Sequence, residues 1–542
     1  MKTLLCLVIL FQSAALGVAA PATQFSASGR NGAVAAGNAA SVATGLEILQ
    51  RGGNAADAAV AAMLVQTVVE SRVFCFSGEV VALAHRASDR STEMIAGVGE
   101  APALATREYF AARGGIPGAR SPETAAVPGA LGAFVTLLER QGTMTFTEVS
   151  AASLALLDRH AEPWQAAMAR TLRLLIAAEQ GAASRKEGLA KVADCFYRGQ
   201  VAREIDAWSR KSGGLLRYED FAAHTTIVEA PLAIEYRGRT VLKGGPWCQG
   251  PVLLQTLRLL DGLELRPLDP LKPDYIHLVA EALKLSLADR DAYYGDPRFV
   301  SVPLKALLSP EYAAERRKLI DPKKASAVWN PGRPLPELPA PMVPPTVKRV
   351  TDKIGDTTVC MTADRHGNVI VVTPSGWGGV VAGETGVILA SRLRSFNTWA
   401  GHPNCIAPGK RPRITLSPTL VLSQGKPVLG VSVEGGDWQD QTSLQVVLDS
   451  LVFDMAPADA VASPRWGTRH HIRSFDGAPF FPASLILTPR FDQKIAEELR
   501  RRGHRIEAEG EIVGNPAAMR INADGQIDIA ADPYRTHHVG AY

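Results

Sequence analysis

Apolar residues at Ile276, Val279, Leu283 and Leu287 recur at spacings of three and four, which predicts a long helix over Pro273 to Tyr294, closed by Gly295 and Pro297. The same period predicts helices over Ser41 to Gln50, Ser150 to His160, Gln165 to Ala178, Asp194 to Glu204, Pro251 to Leu260, Thr442 to Val452 and Asp492 to Arg502. Asn54, with Asp57 three residues on, starts a further helix whose Ala55, Ala58, Ala59 and Ala62 form a face almost without side chains. Such a face lets a helix lie close against a sheet.

Elsewhere the pattern has a period of two. Thr357 to Met361 and Val369 to Thr373 flank the turn His366-Gly367-Asn368, and Leu416 to Leu422 and Pro427 to Val433 flank Gln424-Gly425, so two hairpins are expected. Pro231 to Leu242 reads as one strand closed by Gly244-Gly245-Pro246, with weaker strand signals at Leu485 to Leu487 and Ile512-Val513. Strands interleaved with long helices predict layered α and β structure, although the pattern alone leaves a barrel open.

The N-terminus adds an address. Lys2, the apolar stretch Leu4 to Phe11 and small residues up to Ala20-Pro21-Ala22 predict a secretory signal over residues 1–22, removed after Ala22. A soluble product in the periplasm or the medium is expected. Cys6 would leave with the signal, and Cys75, Cys195, Cys248, Cys360 and Cys405 would stay. Five scattered thiols allow a disulfide but not a disulfide framework. With no CxxC pair and no HExxH, a structural zinc site is not expected. The 58 basic and 54 acidic residues nearly balance and form no long basic tract, which argues against nucleic acid as a partner.

One join carries distinctive chemistry. In Gly355-Asp356-Thr357-Thr358-Val359, cutting before Thr357 would create an α-amine able to act as base for that residue's own hydroxyl. Left uncut, the same residues are an ordinary turn into a strand. Asn330 to Thr351 holds seven prolines and reads as flexible or extended, which suits a processing site shortly after it.

The stretches GLEILQRGGNAADAAVAA, EYRGRTV, HLVAEALKLSLADRDAYYGDP, GDTTV, DRHGNVIVVTPS, VVAGETGVIL, GKRPRITLSPTL, EGGDWQDQTSLQVVLD and ADPYRTHHVGAY together resemble the γ-glutamyltranspeptidase family of N-terminal-nucleophile hydrolases. The resemblance spans Gly32 to Tyr542. It implies an α+β fold, a four-layer αββα sandwich, and a precursor cut between Asp356 and Thr357. A large subunit of residues 23–356 and a small subunit of residues 357–542 would together build one unit. It further implies Thr357 as nucleophile, Ser375 as a second hydroxyl beside it, and Gly435 and Gly436 as the pair whose N-H groups face the oxyanion. The substrate class is a small-molecule amide, with water or an amine as acceptor. No cofactor and no metal are implied.

The chain departs from the family where substrate is gripped. Val98 stands in place of the arginine that binds the glutamyl α-carboxylate, and Ser395 replaces the aspartate that holds the α-ammonium. Arg392 and Arg394 add positive charge near Ser395, for structural salt bridges or for an anionic acyl group. Trp377 replaces a substrate-contacting asparagine and offers a flat surface or simple packing. Arg72 to Glu79 replaces a glycine-rich stretch, Glu434 replaces a proline before the oxyanion glycines, and Ile414 and Thr415 replace two serines. Three readings follow: a threonine amidohydrolase with altered acyl specificity, a conventional γ-glutamyl hydrolase or transferase, and an uncut binding protein on the same fold.

Overall fold

The computed structural model describes residues 24–343, 357–376, 378–475, 481–508 and 513–542. The expected signal, Asp356, Trp377 and Ile512 therefore lie outside the described residues.

Two seven-stranded antiparallel sheets form the centre. The first runs His538–Ala541, Gly32–Ala36, Cys360–Asp364, Val369–Ser375, Glu79–Arg86, Ser91–Gly97 and Ile227–Glu229. The second runs Ser26–Gly29, Ile527–Ala531, Asn515–Ile521, Lys426–Glu434, Thr419–Ser423, Arg239–Lys243 and Leu232–Tyr236. Alternation decides which way each residue points. Met361, Ala363, Val369 and Val371 pack between the sheets with Leu420, Ala517 and Met519, whereas Cys360, Ile370 and Val372 join the helices outside the first sheet. A third cluster buries Pro251–Leu260, Pro273–Tyr293 and Gln439–Leu451 against the outer face of the second sheet. Helices, sheet, sheet, helices: the four layers of an αββα sandwich.

The alanine helix Ala55–Val69 behaves as its sequence predicts. Asn54 accepts from the Ala56 and Asp57 N-H groups while Asp57 accepts from Asn54 N, a complete capping box. Its backbone comes so near the first sheet that Thr362 Oγ1 donates to Ala55 O at 2.7 Å. Larger side chains at the alanine positions would hold the layers apart. Among the other helices, Thr145 and Glu148 cap Phe146–Leu157 earlier than its apolar period suggested.

Other boundaries differ for identifiable reasons. The stretch read as one strand from Pro231 is a hairpin, because Arg237 and Gly238 both adopt positive φ, 49° and 72°, and turn the chain back. Asp194 to Glu204 spans a break between Arg185–Tyr197 and Gln200–Ser212, at Gly199. The strand after residue 512 starts only at Asn515, and Ser484–Leu487 instead pairs in parallel with Arg505–Ala508. The proline-rich stretch is irregular as far as residue 343. Its beginning is tied down, since Tyr293 Oη donates to Gly332 O at 2.6 Å and Gly332 N donates to Asp289 Oδ1 at 2.7 Å. The five cysteines among the described residues are free thiols. No helix among the described residues is long and apolar enough to cross a membrane.

Candidate active site

Thr357 lies just before Cys360–Asp364, an inner strand of the first sheet. Thr358 N donates to Pro374 O at 3.1 Å, extending the ladder from Cys360 opposite Val372 by one step and setting Thr357 beside Ser375. Thr358 is clamped to the end of the alanine helix: its Oγ1 donates to Glu70 Oε2 at 3.1 Å and accepts from Gln66 Nε2 at 3.1 Å. Gln66 Nε2 also reaches Val359 O at 3.0 Å. The backbone on the C-terminal side of Thr357 is thereby fixed.

Gly435 and Gly436 follow the strand Lys426–Glu434 and take φ of 129° and 55°, values that favour glycine. A Cβ on Gly435 would sit 3.0 Å from Gly514 Cα. The turn is pinned by buried charge. Asp437 Oδ1 accepts from Arg290 Nη1 at 2.7 Å and from Ser474 Oγ at 2.6 Å, and Gln249, held by Arg290, donates to Gly436 O at 3.2 Å. Burial alone would raise the Asp437 pKa, but Arg290, His471 and the Ser474 hydrogen bonds together outweigh it and hold the carboxyl well below its ordinary value. Three residues after Gly436, Gln439 opens the helix Gln439–Leu451, and its Nε2 donates to Thr357 Oγ1 at 3.2 Å. That bond brings the glycine turn and the threonine together.

A cavity of roughly 550 Å³ opens over this point, lined by Thr357, Thr358, Glu70, Arg72, Glu434 and His537 among others. His537 Nε2 lies 3.0 Å from Glu434 Oε2, which also accepts from Asn515 Nδ2 at 3.0 Å. Burial pushes Glu434 up, yet these two partners more than offset it and its pKa falls below the ordinary value. At Glu70 burial wins over His537, Gln66 and Thr358, and the pKa is raised.

The residues expected to grip substrate are placed differently. Arg392 is buried, with Nη2 2.7 Å from Glu79 Oε2 and 3.1 Å from Ser375 Oγ. Its charge is met by Glu79, and Arg392 is not in the lining of the cavity. Ser395 is also buried; its Oγ accepts from Arg392 Nη1 at 3.4 Å and its carbonyl from Asn404 Nδ2 at 2.6 Å. Val98 packs in the core between the sheets with Trp247 and Ile414, and its carbonyl accepts from Arg411 Nε at 2.9 Å. Neither Val98 nor Ser395 is in the lining of the cavity.

Sequence reasoning missed Gln439, Glu70 and His537. Gln439 lies three residues after Gly436 in EGGDWQDQ, and that spacing from the glycine pair was the available signal; Glu70 belongs to no motif. Among the described residues, His277, Glu281 and His504 have the spacing of a metal cluster. Their groups are already engaged: His277 Nε2 donates to Asp321 O at 2.7 Å, His504 Nε2 then donates to His277 Nδ1 at 2.8 Å, and Lys284 Nζ neutralises Glu281 at 2.6 Å.

Two antiparallel sheets stacked between helical layers, with a threonine just before an inner strand and beside a glycine turn, define a member of the N-terminal-nucleophile hydrolase superfamily. The Gamma-glutamyltranspeptidase family model matches residues 41–162 and 162–542, and the chain belongs to that family. The glutathione hydrolase proenzyme of Escherichia coli strain K12 is 28% identical over 93% of this chain and 90% of its own length. Acylase ACY 1 proenzyme of Pseudomonas sp. strain SE83 is 29% identical over 93% of this chain and 92% of its own. The crystal structure of cephalosporin acylase from Bacillus halodurans matches with a TM-score of 0.81 at 27% identity, covering 98% of this chain and 99% of that one. The chain is thus a divergent relative of self-processing transpeptidases and acylases.

Proposed function

We propose that the chain is an exported precursor that cuts itself between Asp356 and Thr357 and then works as a threonine amidohydrolase or acyltransferase with an acyl preference other than γ-glutamyl. The observation that carries this is the Thr357 hydroxyl at the cavity, held by Gln439 and set beside Ser375 and the Gly435-Gly436 turn. Thr357 Oγ attacks the amide carbonyl while the freed α-amine takes its proton. The Gly435 and Gly436 N-H groups face the oxyanion, and the C-N bond breaks as the leaving amine receives the proton. Water or an amine then attacks the threonyl ester and releases the acyl group.

Loss of the family's two charged grips, with Val98 in the core and Arg392 paired to Glu79, supports a pocket that does not select an amino-acid head. Relatives named as acylases agree with that preference, whereas those named as glutathione hydrolases keep the γ-glutamyl reading as the competing outcome. Denaturing electrophoresis with N-terminal sequencing should yield a fragment beginning at Thr357. A screen of γ-glutamyl, glutaryl and aromatic-acyl anilides should favour acyl groups without the α-amine. Strong turnover of the γ-glutamyl compound would overturn the altered specificity, and an uncut, inactive chain would mark a binding protein.

A further inference from the structure

Resting on the assignment of Thr357 as nucleophile, we propose that the Gln439 carboxamide holds both reactive groups of the cut enzyme, donating to the hydroxyl and accepting from the α-amine that cutting creates. Gln439 is wholly buried, its Nε2 donates to Thr357 Oγ1, and its Oε1 has no hydrogen-bond partner in the uncut chain. A buried acceptor left over at this spot calls for a donor. Cutting supplies one on the same residue, because amine and hydroxyl sit on adjacent carbons of Thr357.

The three groups then close a ring. Gln439 Nε2-H donates to Thr357 Oγ, Oγ-H donates to the amine lone pair, and an amine N-H donates to Gln439 Oε1. Every member both gives and receives, and the ring aims the hydroxyl proton at the base that must take it. The carboxamide is well placed to impose this geometry, since its neighbours are locked. Asp440 Oδ1 is 2.7 Å from Lys243 Nζ and accepts from Ser417 Oγ at 3.0 Å, while Gln441 Nε2 donates to Asp437 O and Thr468 O, each at 3.1 Å. The charged and titratable groups lining the cavity with Thr357 are Glu70 and Arg72 from the alanine helix and its end, Glu162 at the start of the helix Pro163–Gln180, and Glu434 and His537 from the second sheet and the C-terminal segment.

Gln439→Met and Gln439→Glu separate the two roles. Methionine keeps the volume and loses both bonds, so kcat of the cut enzyme should fall roughly 10²-fold with KM little changed, the size seen when one fixed donor is removed from a reacting centre. Glutamate accepts from the amine, cannot donate to Oγ when ionised, and stabilises the ammonium form; the acidic limb of the kcat profile should move to higher pH. An experimental structure of the cut wild-type enzyme should place Gln439 Oε1 within hydrogen-bond distance of Thr357 N, about 2.7–3.2 Å. A wild-type pH limb and kcat in both cut variants, or an Oε1 turned away from the amine in that structure, would overturn the inference while leaving Thr357 as nucleophile. A wild-type chain that is never cut removes the nucleophile and this inference together.

Discussion

The Arg392 guanidinium lies 2.7 Å from the Glu79 carboxylate, and both side chains are almost fully buried. Glu79 stands opposite Ser375 in the ladder between Glu79–Arg86 and Val369–Ser375, so the pair braces the strand end that carries Ser375. Burial nevertheless wins at Glu79, whose pKa is raised despite Arg392. Removing the arginine alone leaves a carboxylate with no partner in low dielectric. Arg392→Met should therefore destabilise the fold by about 3–5 kcal/mol, and Glu79→Met added to it should restore much of the loss. Urea unfolding of the two variants checks this, and an unchanged midpoint in the single variant would contradict it.

Thr357→Ala removes the hydroxyl that accepts from Gln439 Nε2. The chain should remain one band on denaturing gels, amidase activity should fall at least ~10³-fold, and the melting temperature should stay near wild type. Cutting or turnover surviving in this variant would show that another group does the chemistry.

Asp437 ties the glycine turn to Arg290 and Ser474. Asp437→Ala frees the turn while Arg290 keeps Asp291 at 2.8 Å. Turnover should drop about 10²-fold through misplaced oxyanion donors, with a stability loss of about 1–3 kcal/mol. Stopped-assay kinetics and thermal melts on the same preparation separate the two effects.

Glu434 has a folded-state pKa below its ordinary value of 4.5, since the His537 and Asn515 bonds outweigh burial. The unfolded chain then takes up the proton first as pH falls, so this contribution is intact above the ordinary value and is lost on going down through the folded one. Glu434→Gln should melt at a lower temperature than wild type at pH 7, with the gap narrowing below about pH 4.5. A gap that widens in acid would reverse the sign assigned here.

Local chemistry made several elements legible. The hairpin through Cys360–Asp364 and Val369–Ser375 and the helix Pro273–Tyr293 follow from period and turn residues alone. Gly32–Ala36 and Glu79–Arg86 were not read as strands, because almost every position is buried on both faces and no alternation marks them. At the site, Thr357 announced itself by the chemistry of a new N-terminus. The partner of Arg392 did not, being 313 residues away and fixed only by which strands neighbour one another. His537 reaches the cavity for the same reason, carried there by a C-terminal segment whose sequence gives no hint of its neighbours.

The strand order has one more effect. Gly32–Ala36 lies between His538–Ala541 and Cys360–Asp364, and in the second sheet Ser26–Gly29 and Arg239–Lys243 flank four strands from beyond residue 357. A cut at Asp356-Thr357 would therefore leave two chains interlaced through both sheets, unable to part without tearing backbone ladders. Such a molecule would hold together without a covalent link, and once melted it would have two separate partners to find instead of one chain to refold. Heating the uncut Thr357→Ala chain should be far more reversible than heating its cut counterpart, so maturation would fix the fold in a direction with no return.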